Sequence, residues 1–191
     1  MAMRSELTRT SRFLSRILRH DPGLIGITLD AAGWADIDTL LTAAEASGRT
    51  IPRETLDEIV ATNDKQRFAI SEHGQKIRAR QGHSIPVDLG LEPMTPPPEL
   101  YHGTVDRFLP SIREHGLRPG SRHAVHLSAD AETAVKVGSR RGKPVVLVVD
   151  ATGAAAAGVL FTRSENGVWL TDAVPPEFLR FPEDASIEER R

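Results

Sequence analysis

Ile85-Pro86-Val87-Asp88-Leu89-Gly90-Leu91-Glu92-Pro93-Met94-Thr95-Pro96-Pro97-Pro98-Glu99-Leu100 divides the chain. Proline fixes φ and removes the backbone N–H, so this stretch can neither run as a helix nor pair as a central strand, and it stiffens into an extended connector. We read residues 86–99 as a linker, with one lobe over residues 1–85 and another over residues 100–191. A chain of 191 residues is long enough to bury two modest cores. With 39% hydrophobic and 26% charged residues, it has the composition of packed domains, which argues against a disordered or fibrous chain.

On the N-terminal side, Ser5 to His20 reads as an amphipathic helix. Phe13, Leu14 and Ile17 share one face, and Arg9, Arg12, Arg16, Arg19 and His20 fall on the other. Asp21-Pro22 ends it. Leu29 to Trp34 reads as a turn, followed by helices over Asp36–Ala46 and Pro52–Thr62. After Asn63-Asp64, short strands are predicted at Arg67–Ile70 and Ile77–Ala79. Three helices and a small basic hairpin have the outline of a winged helix-turn-helix. On the other side, strands are predicted at Leu100–His102, Ala124–Leu127, Val145–Val149, Val159–Phe161, Val168–Thr171 and Leu179–Phe181. Helices are predicted at Val105–His115 and from a cap at Ser128 or Asp130 to Gly138. The fold class is therefore α+β. The tail Glu183 to Arg191 is a charged, solvated run.

The formal net charge of -2 leaves nucleic-acid binding to local clusters rather than to bulk charge. Arg4, Arg9, Arg12, Arg16 and Arg19 face only Glu6 in residues 1–20, and Lys65, Arg67, Lys76, Arg78 and Arg80 face only Glu72 in residues 65–83. The absence of cysteine removes disulfides, thiolate chemistry and cysteine-ligated zinc, and suits a reducing compartment. No apolar run reaches the length of a membrane span, and the arginine-rich start does not read as a secretion signal. The expected location is the cytoplasm.

Arg19-His20, at the predicted end of the first helix, is a candidate pair, although cations there also complement the helix dipole. Lys65-Gln66-Arg67-Phe68 reads as a wing or as a solvated hairpin with Phe68 plugging the core, and Gln81-Gly82-His83-Ser84 as a turn. Tyr101-His102-Gly103-Thr104 leaves a strand through a glycine that lets backbone approach a ligand. Arg122, His126 and Ser128 alternate, as residues on one face of a strand do. These histidines lack a carboxylate or His-x-x-x-His partner at ligand spacing, so no metal is expected. No G-x-G-x-x-G or P-loop supplies a phosphate cradle of the Rossmann or NTPase kind.

Taken in order, these pieces carry a resemblance. Leu18-Arg19-His20, Leu29-Asp30 with Gly33-Trp34, Arg67-Phe68, Ile77-Arg78-Ala79 with Gln81-Gly82-His83-Ser84, Tyr101-His102-Gly103-Thr104, Val125-His126-Leu127-Ser128, Val137-Gly138 with Arg140, and Asn166-Gly167-Val168-Trp169-Leu170 resemble the NAD-dependent RNA 2′-phosphotransferase family, the KptA type, over about residues 10–181. Each piece is unspecific, and their joint order and spacing are highly specific. The resemblance implies a winged-helix RNA lobe joined to an ADP-ribosyltransferase-like NAD lobe. It implies a catalytic Arg-His-Arg-Arg set at Arg19, His20, Arg67 and Arg122. NAD contacts are implied at His102, Gly103, Thr104, His126, Ser128 and Arg140.

The implied reaction takes an internal 2′-phosphate from RNA, with NAD consumed as co-substrate and no metal. The phosphate attacks the nicotinamide ribose to give a phospho-ADP-ribosylated RNA, and transesterification then yields ADP-ribose 1″,2″-cyclic phosphate, nicotinamide and 2′-hydroxyl RNA. The implied partner is RNA bearing a 2′-phosphate, with no membrane and no obligate protein partner. Arginines suit a dianionic phosphate because guanidinium offers a planar fork of donors. A histidine, with an ordinary pKa of about 6.5, suits proton transfer to the departing oxygen. Val168 stands where many protein-modifying ADP-ribosyltransferases carry a glutamate, which counts against a protein substrate. A winged-helix regulator with a ligand-sensing lobe, and a transferase acting on terminal phosphates, stay open on the residues alone.

Overall fold

The computed structural model describes residues 2–63 and 66–182. Asp64, read above as leading into the first strand, Lys65, read as the start of a basic wing, and the tail Glu183 to Arg191 lie outside the described residues. The chain forms two compact units, Met1–Gly90 and Leu91–Arg191. Each mixes helix and sheet, as the α+β class requires.

The first unit opens with α1 (Ala2–Arg19), whose Leu14, Ile17 and Leu18 recur at helical spacing and are fully buried. Burial stabilises by about 2 kcal/mol per side chain of this size. A 3-10 turn over Pro22–Ile25 follows, closed by Gly26 at φ 73°. Asp30 then builds a turn, its Oδ1 accepting from the N–H groups of Ala32 and Trp34 at 3.1 and 2.9 Å. The turn leads into β1 (Trp34–Asp36) and α2 (Ile37–Ala46), where Asp36 caps the helix by accepting from the Thr39 N–H at 2.8 Å. Next come α3 (Arg53–Thr62), β2 (Phe68–Ile70) and β3 (Lys76–Ala79). The antiparallel sheet has the order β1-β3-β2, with Trp34 opposite Arg78 and Phe68 opposite Ala79. Strand β1 was not predicted, because three residues carry no alternation of their own and pair only where β3 meets them. Leu14, Ile17, Ile37, Leu40, Leu56, Phe68 and Ile77 share one core.

The second unit begins with β4 (Glu99–Thr104), a 3-10 turn over Asp106–Phe108 and α4 (Leu109–His115), so the helix predicted over residues 105–115 is shorter than expected. Then come β5 (Val125–Leu127), α5 (Ala131–Gly138), β6 (Val145–Asp150), α6 (Ala151–Ala156), β7 (Thr162–Arg163), β8 (Trp169–Thr171) and β9 (Leu179–Arg180). Asp130, one of the two predicted caps, starts α5 by accepting from the Thr133 N–H at 2.7 Å. Two antiparallel sheets, β4-β6-β9 and β5-β8-β7, meet at a bridge where Tyr101 and Ser128 exchange backbone hydrogen bonds of 2.9 and 2.8 Å. Helix α5 lies on β4. Leu100, Leu127, Leu147, Val149, Phe161 and Trp169 form the core.

Two expectations differ from the structure, and one helix was not expected. Val159–Phe161 is not a strand: Phe161 is a buried core residue, and pairing with β8 begins only at Thr162. Helix α6 was not predicted, although Ala151–Ala156 is rich in the best helix former and Asp150 accepts from the Gly153 N–H at 2.9 Å as its cap. Arg122 does not share a strand with His126 and Ser128, because the chain bends through residues 121–124 and β5 starts at Val125.

Candidate active site

In the first unit, Arg19 ends α1, His20 follows it, and Arg67 stands just ahead of β2. Arg67 lies far along the sequence from the adjacent Arg19 and His20, and the fold brings all three to the lining of one cleft of about 850 Å³, with Ser11, Arg12 and Asn63. Glu58 is the one carboxylate in a lining that carries Arg12, Arg16, Arg19 and Arg67, so the cleft suits an anion.

Asn63, which the sequence did not single out, and Ser84, read there only within a turn, hold this group in shape. Arg67 donates from Nη1 to Asn63 Oδ1 at 3.3 Å, and Asn63 donates from Nδ2 to Ser11 Oγ at 3.2 Å, which ties the guanidinium to α1. Gln66, the residue before Arg67, has φ 40°, a left-handed conformation that costs a non-glycine residue about 1 kcal/mol or more. Ser84 Oγ lies 2.9 Å from Nδ1 of His20. The spacing Asn63-x-x-x-Arg67 was visible in the sequence, but nothing local marks a residue 64 positions away as the partner of His20.

The second basic strip is engaged inside this unit. Lys76 pairs with Asp30 at 3.2 Å, Arg78 lies 4.6 Å over the Trp34 ring, and Arg80 donates to the Phe68 carbonyl at 3.0 Å. Burial and then the neighbouring Arg78 pull the Arg80 pKa below its ordinary value.

In the second unit, β4 carries His102, Gly103 and Thr104, and β5 carries His126 with Ser128 just beyond it. Nδ1–H of His102 donates to the His126 carbonyl at 3.1 Å, and Nδ1–H of His126 donates to the Ala124 carbonyl at 3.0 Å. A carbonyl only accepts, so each ring carries a hydrogen on Nδ1. Burial lowers the His102 pKa; Arg141 and Arg122 lower it further, against the opposing bond to His126. Loss of solvent around the Arg122 guanidinium, with repulsion from Arg141 and Arg140, pulls its pKa down as well. Arg140 and Arg141 sit in a 3-10 turn after α5, and Arg141 also lies 5.8 Å over the Phe108 ring. Arg141 was missed, although it adjoins the expected Arg140. Gly103 has a different close neighbour from the ligand expected of it: its open side is filled by the α5 backbone at Ala134.

Among the described residues, no group of three His, Asp or Glu side chains could hold a metal ion, and no helix is long and apolar enough to cross a membrane.

A family model described as RNA 2′-phosphotransferase, Tpt1 / KptA family, matches residues 5–173. A probable RNA 2′-phosphotransferase of Agrobacterium fabrum is 55% identical over 184 residues, covering 96% of this chain and 99% of the relative. Proteins of the same description from Hahella chejuensis and Streptomyces coelicolor are 58% and 57% identical, over 93% and 94% of this chain and 95% and 98% of their own lengths.

Proposed function

Because this chain belongs to the RNA 2′-phosphotransferase, Tpt1 / KptA family, we propose that it removes an internal 2′-phosphate from RNA with NAD as the consumed co-substrate. The observation that carries this reading is the gathering of Arg19, His20 and Arg67 on one cationic cleft. The order of the first unit, a helix, a strand, two helices and a hairpin, supports its reading as a winged-helix RNA lobe. The strand-rich second unit is read as the ADP-ribosyltransferase-like lobe. Its donor set fits a dinucleotide with two phosphates, since the charges that act on Arg122 and His102 are all arginines. Arg140 would hold the pyrophosphate, with His102, Gly103, Thr104, His126 and Ser128 as the further NAD contacts.

NAD supplies an anomeric carbon that parts with neutral nicotinamide and a ribose hydroxyl that becomes the phosphate's final partner. The chain supplies grip, alignment and one proton. A 2′-phosphate carries roughly -1.5 to -2 charges near neutral pH. The forks of Arg19 and Arg67 neutralise it and fix its orientation in the cleft, and Arg122 is proposed as the fourth member of the catalytic set. As the ribose hydroxyl bonds to phosphorus and loses its proton, the bond from phosphorus to the RNA 2′-oxygen breaks and that oxygen gains one; His20 is assigned to give it, and the proton lost by the hydroxyl makes good the one given. Nicotinamide leaves neutral, so the first bond cleavage needs alignment and exclusion of water rather than an acid.

Nicotinamide release tests the reading. It is expected with an oligonucleotide bearing one 2′-phosphate and absent with the same oligonucleotide carrying a 2′-hydroxyl. Equal release from both would overturn it.

A further inference from the structure

The turn Gln81-Gly82-His83-Ser84 has no task in the reaction described above, yet it contacts both residues of the Arg19-His20 pair. The Ser84 N–H donates to the Arg19 carbonyl at 2.9 Å, and Ser84 Oγ lies 2.9 Å from Nδ1 of His20. Gly82 has φ 86°, and a Cβ there would stand 3.5 Å from Nη1 of Arg19, so the guanidinium lies against bare backbone. His83, between them, is fully buried, and its Nε2 would lie 3.4 Å from a Cβ on Gly33, itself at φ 80°. The turn is thus anchored in the unit by a buried ring, and the residues on either side of that ring touch the two proposed active-site side chains.

We propose that Ser84 is a positioning residue that accepts a hydrogen bond from Nδ1–H of His20 and thereby reserves Nε2 for proton exchange with the RNA. This rests on the reading of His20 as the proton donor. A ring that gains and loses its proton at Nε2 keeps the hydrogen on Nδ1 in both states, so a bond accepted by Ser84 survives the whole cycle with one polarity. A hydroxyl suits this role because it is uncharged: it fixes tautomer and ring angle without holding the imidazolium as a carboxylate would. His20 is exposed, so water competes for its ring nitrogens, and the Ser84 contact favours one tautomer over the other.

Two measurements on the full chain test this. Ring nitrogen-15 shifts of His20 above its titration are expected to show the Nδ1–H tautomer in the wild type and in Ser84→Thr, and a mixture in Ser84→Ala. In single-turnover kinetics, Ser84→Ala is expected to slow release of 2′-hydroxyl RNA about tenfold, the worth of one neutral hydrogen bond. KM for the RNA should not change, phospho-ADP-ribosylated RNA should build up in Ser84→Ala and in His20→Ala, and Ser84→Thr should restore the rate. If His20→Ala itself releases product normally, the reading of His20 falls, while the tautomer measurement still judges the Ser84 contact. If His20→Ala is slow but Ser84→Ala keeps the wild-type tautomer and rate, the positioning role is overturned. A Ser84→Ala defect that appears only in KM, and that Ser84→Thr does not repair, overturns it as well.

Discussion

Gly103 in β4 lies so close to the carbonyl oxygen of Ala134 in α5 that the space where a Cβ would stand is already taken. Gly138, at the end of the same helix, would place a Cβ 2.9 Å from the Thr104 carbonyl. The His102-Gly103-Thr104 segment is thus shaped by helix packing before any ligand arrives. Gly103→Ala is expected to destabilise the protein by about 3 kcal/mol or more, because backbone rather than a flexible side chain must move. Gly120→Ala, where nothing lies within 4 Å and φ is ordinary, should change stability by no more than about 0.5 kcal/mol. Thermal unfolding of the two variants checks this; equal melting temperatures would refute the packing argument.

Arginine-to-lysine changes separate fork geometry from charge. Arg19→Lys, Arg67→Lys and Arg122→Lys each keep the positive charge and lose the planar pair of donors. If the phosphate is held by that pair, each should lower kcat/KM about 10- to 100-fold, the worth of one charge-assisted hydrogen bond. Steady-state kinetics on a 2′-phosphorylated oligonucleotide decides it, and near-wild-type rates would mean that charge alone suffices.

Asn63 connects Arg67 to α1 through Ser11. Asn63→Ala should weaken RNA binding about tenfold, since Arg67 must then be ordered when the substrate binds. Asn63→Asp should weaken it more, because a carboxylate beside Arg67 competes with the phosphate for the guanidinium. Direct titration of binding checks the order of the two variants.

Arg12 and Arg16 line the cleft and are candidates for contact with flanking phosphates. Each phosphate neutralised on a single strand contributes about 0.7 to the slope of log affinity against log salt. Arg12→Ala and Arg16→Ala should each flatten that slope by about this amount; an unchanged slope would leave them as ordinary solvated surface.

How the fold was legible follows from where its information lies. Helices α1, α2 and α3 repeat apolar residues over several turns, so their own residues declare them. Strand β1 is only three residues long and exists because β3 lies beside it, which no local pattern announces. The alternation through residues 122–128 suggested a strand reaching Arg122, but pairing with β8 covers only Val125–Leu127. Among the site residues, Arg19, His20 and Arg67 were legible as a family motif and stand on one cleft. Asn63 and Arg141 were missed, and Ser84 was read only within a turn, because each contacts or flanks another residue rather than carrying a pattern of its own. Such partners follow from three-dimensional contact, which spacing along the chain does not reveal.

His102 supplies a pH signature. Its folded-state pKa is lowered, by burial first and by Arg141 and Arg122 as well, so on acidification the unfolded chain takes up the proton first. Stability then rises with pH wherever the unfolded state holds more protons. The contribution is present above the ordinary histidine value of about 6.5 and is lost as pH falls below it toward the folded-state value. His102→Gln lacks this titration, so its melting temperature should fall less than that of the wild type between about pH 7 and pH 5.5. Parallel curves would contradict the assignment.

Movement of a 2′-phosphate from RNA onto NAD by this chain can be observed in one experiment. The direct measurement is incubation with NAD and a short oligonucleotide bearing one internal 2′-phosphate, followed by mass analysis of both products. Loss of the phosphate from the RNA together with ADP-ribose cyclic phosphate is the predicted result. An RNA that keeps its phosphate, with or without nicotinamide release, would contradict it.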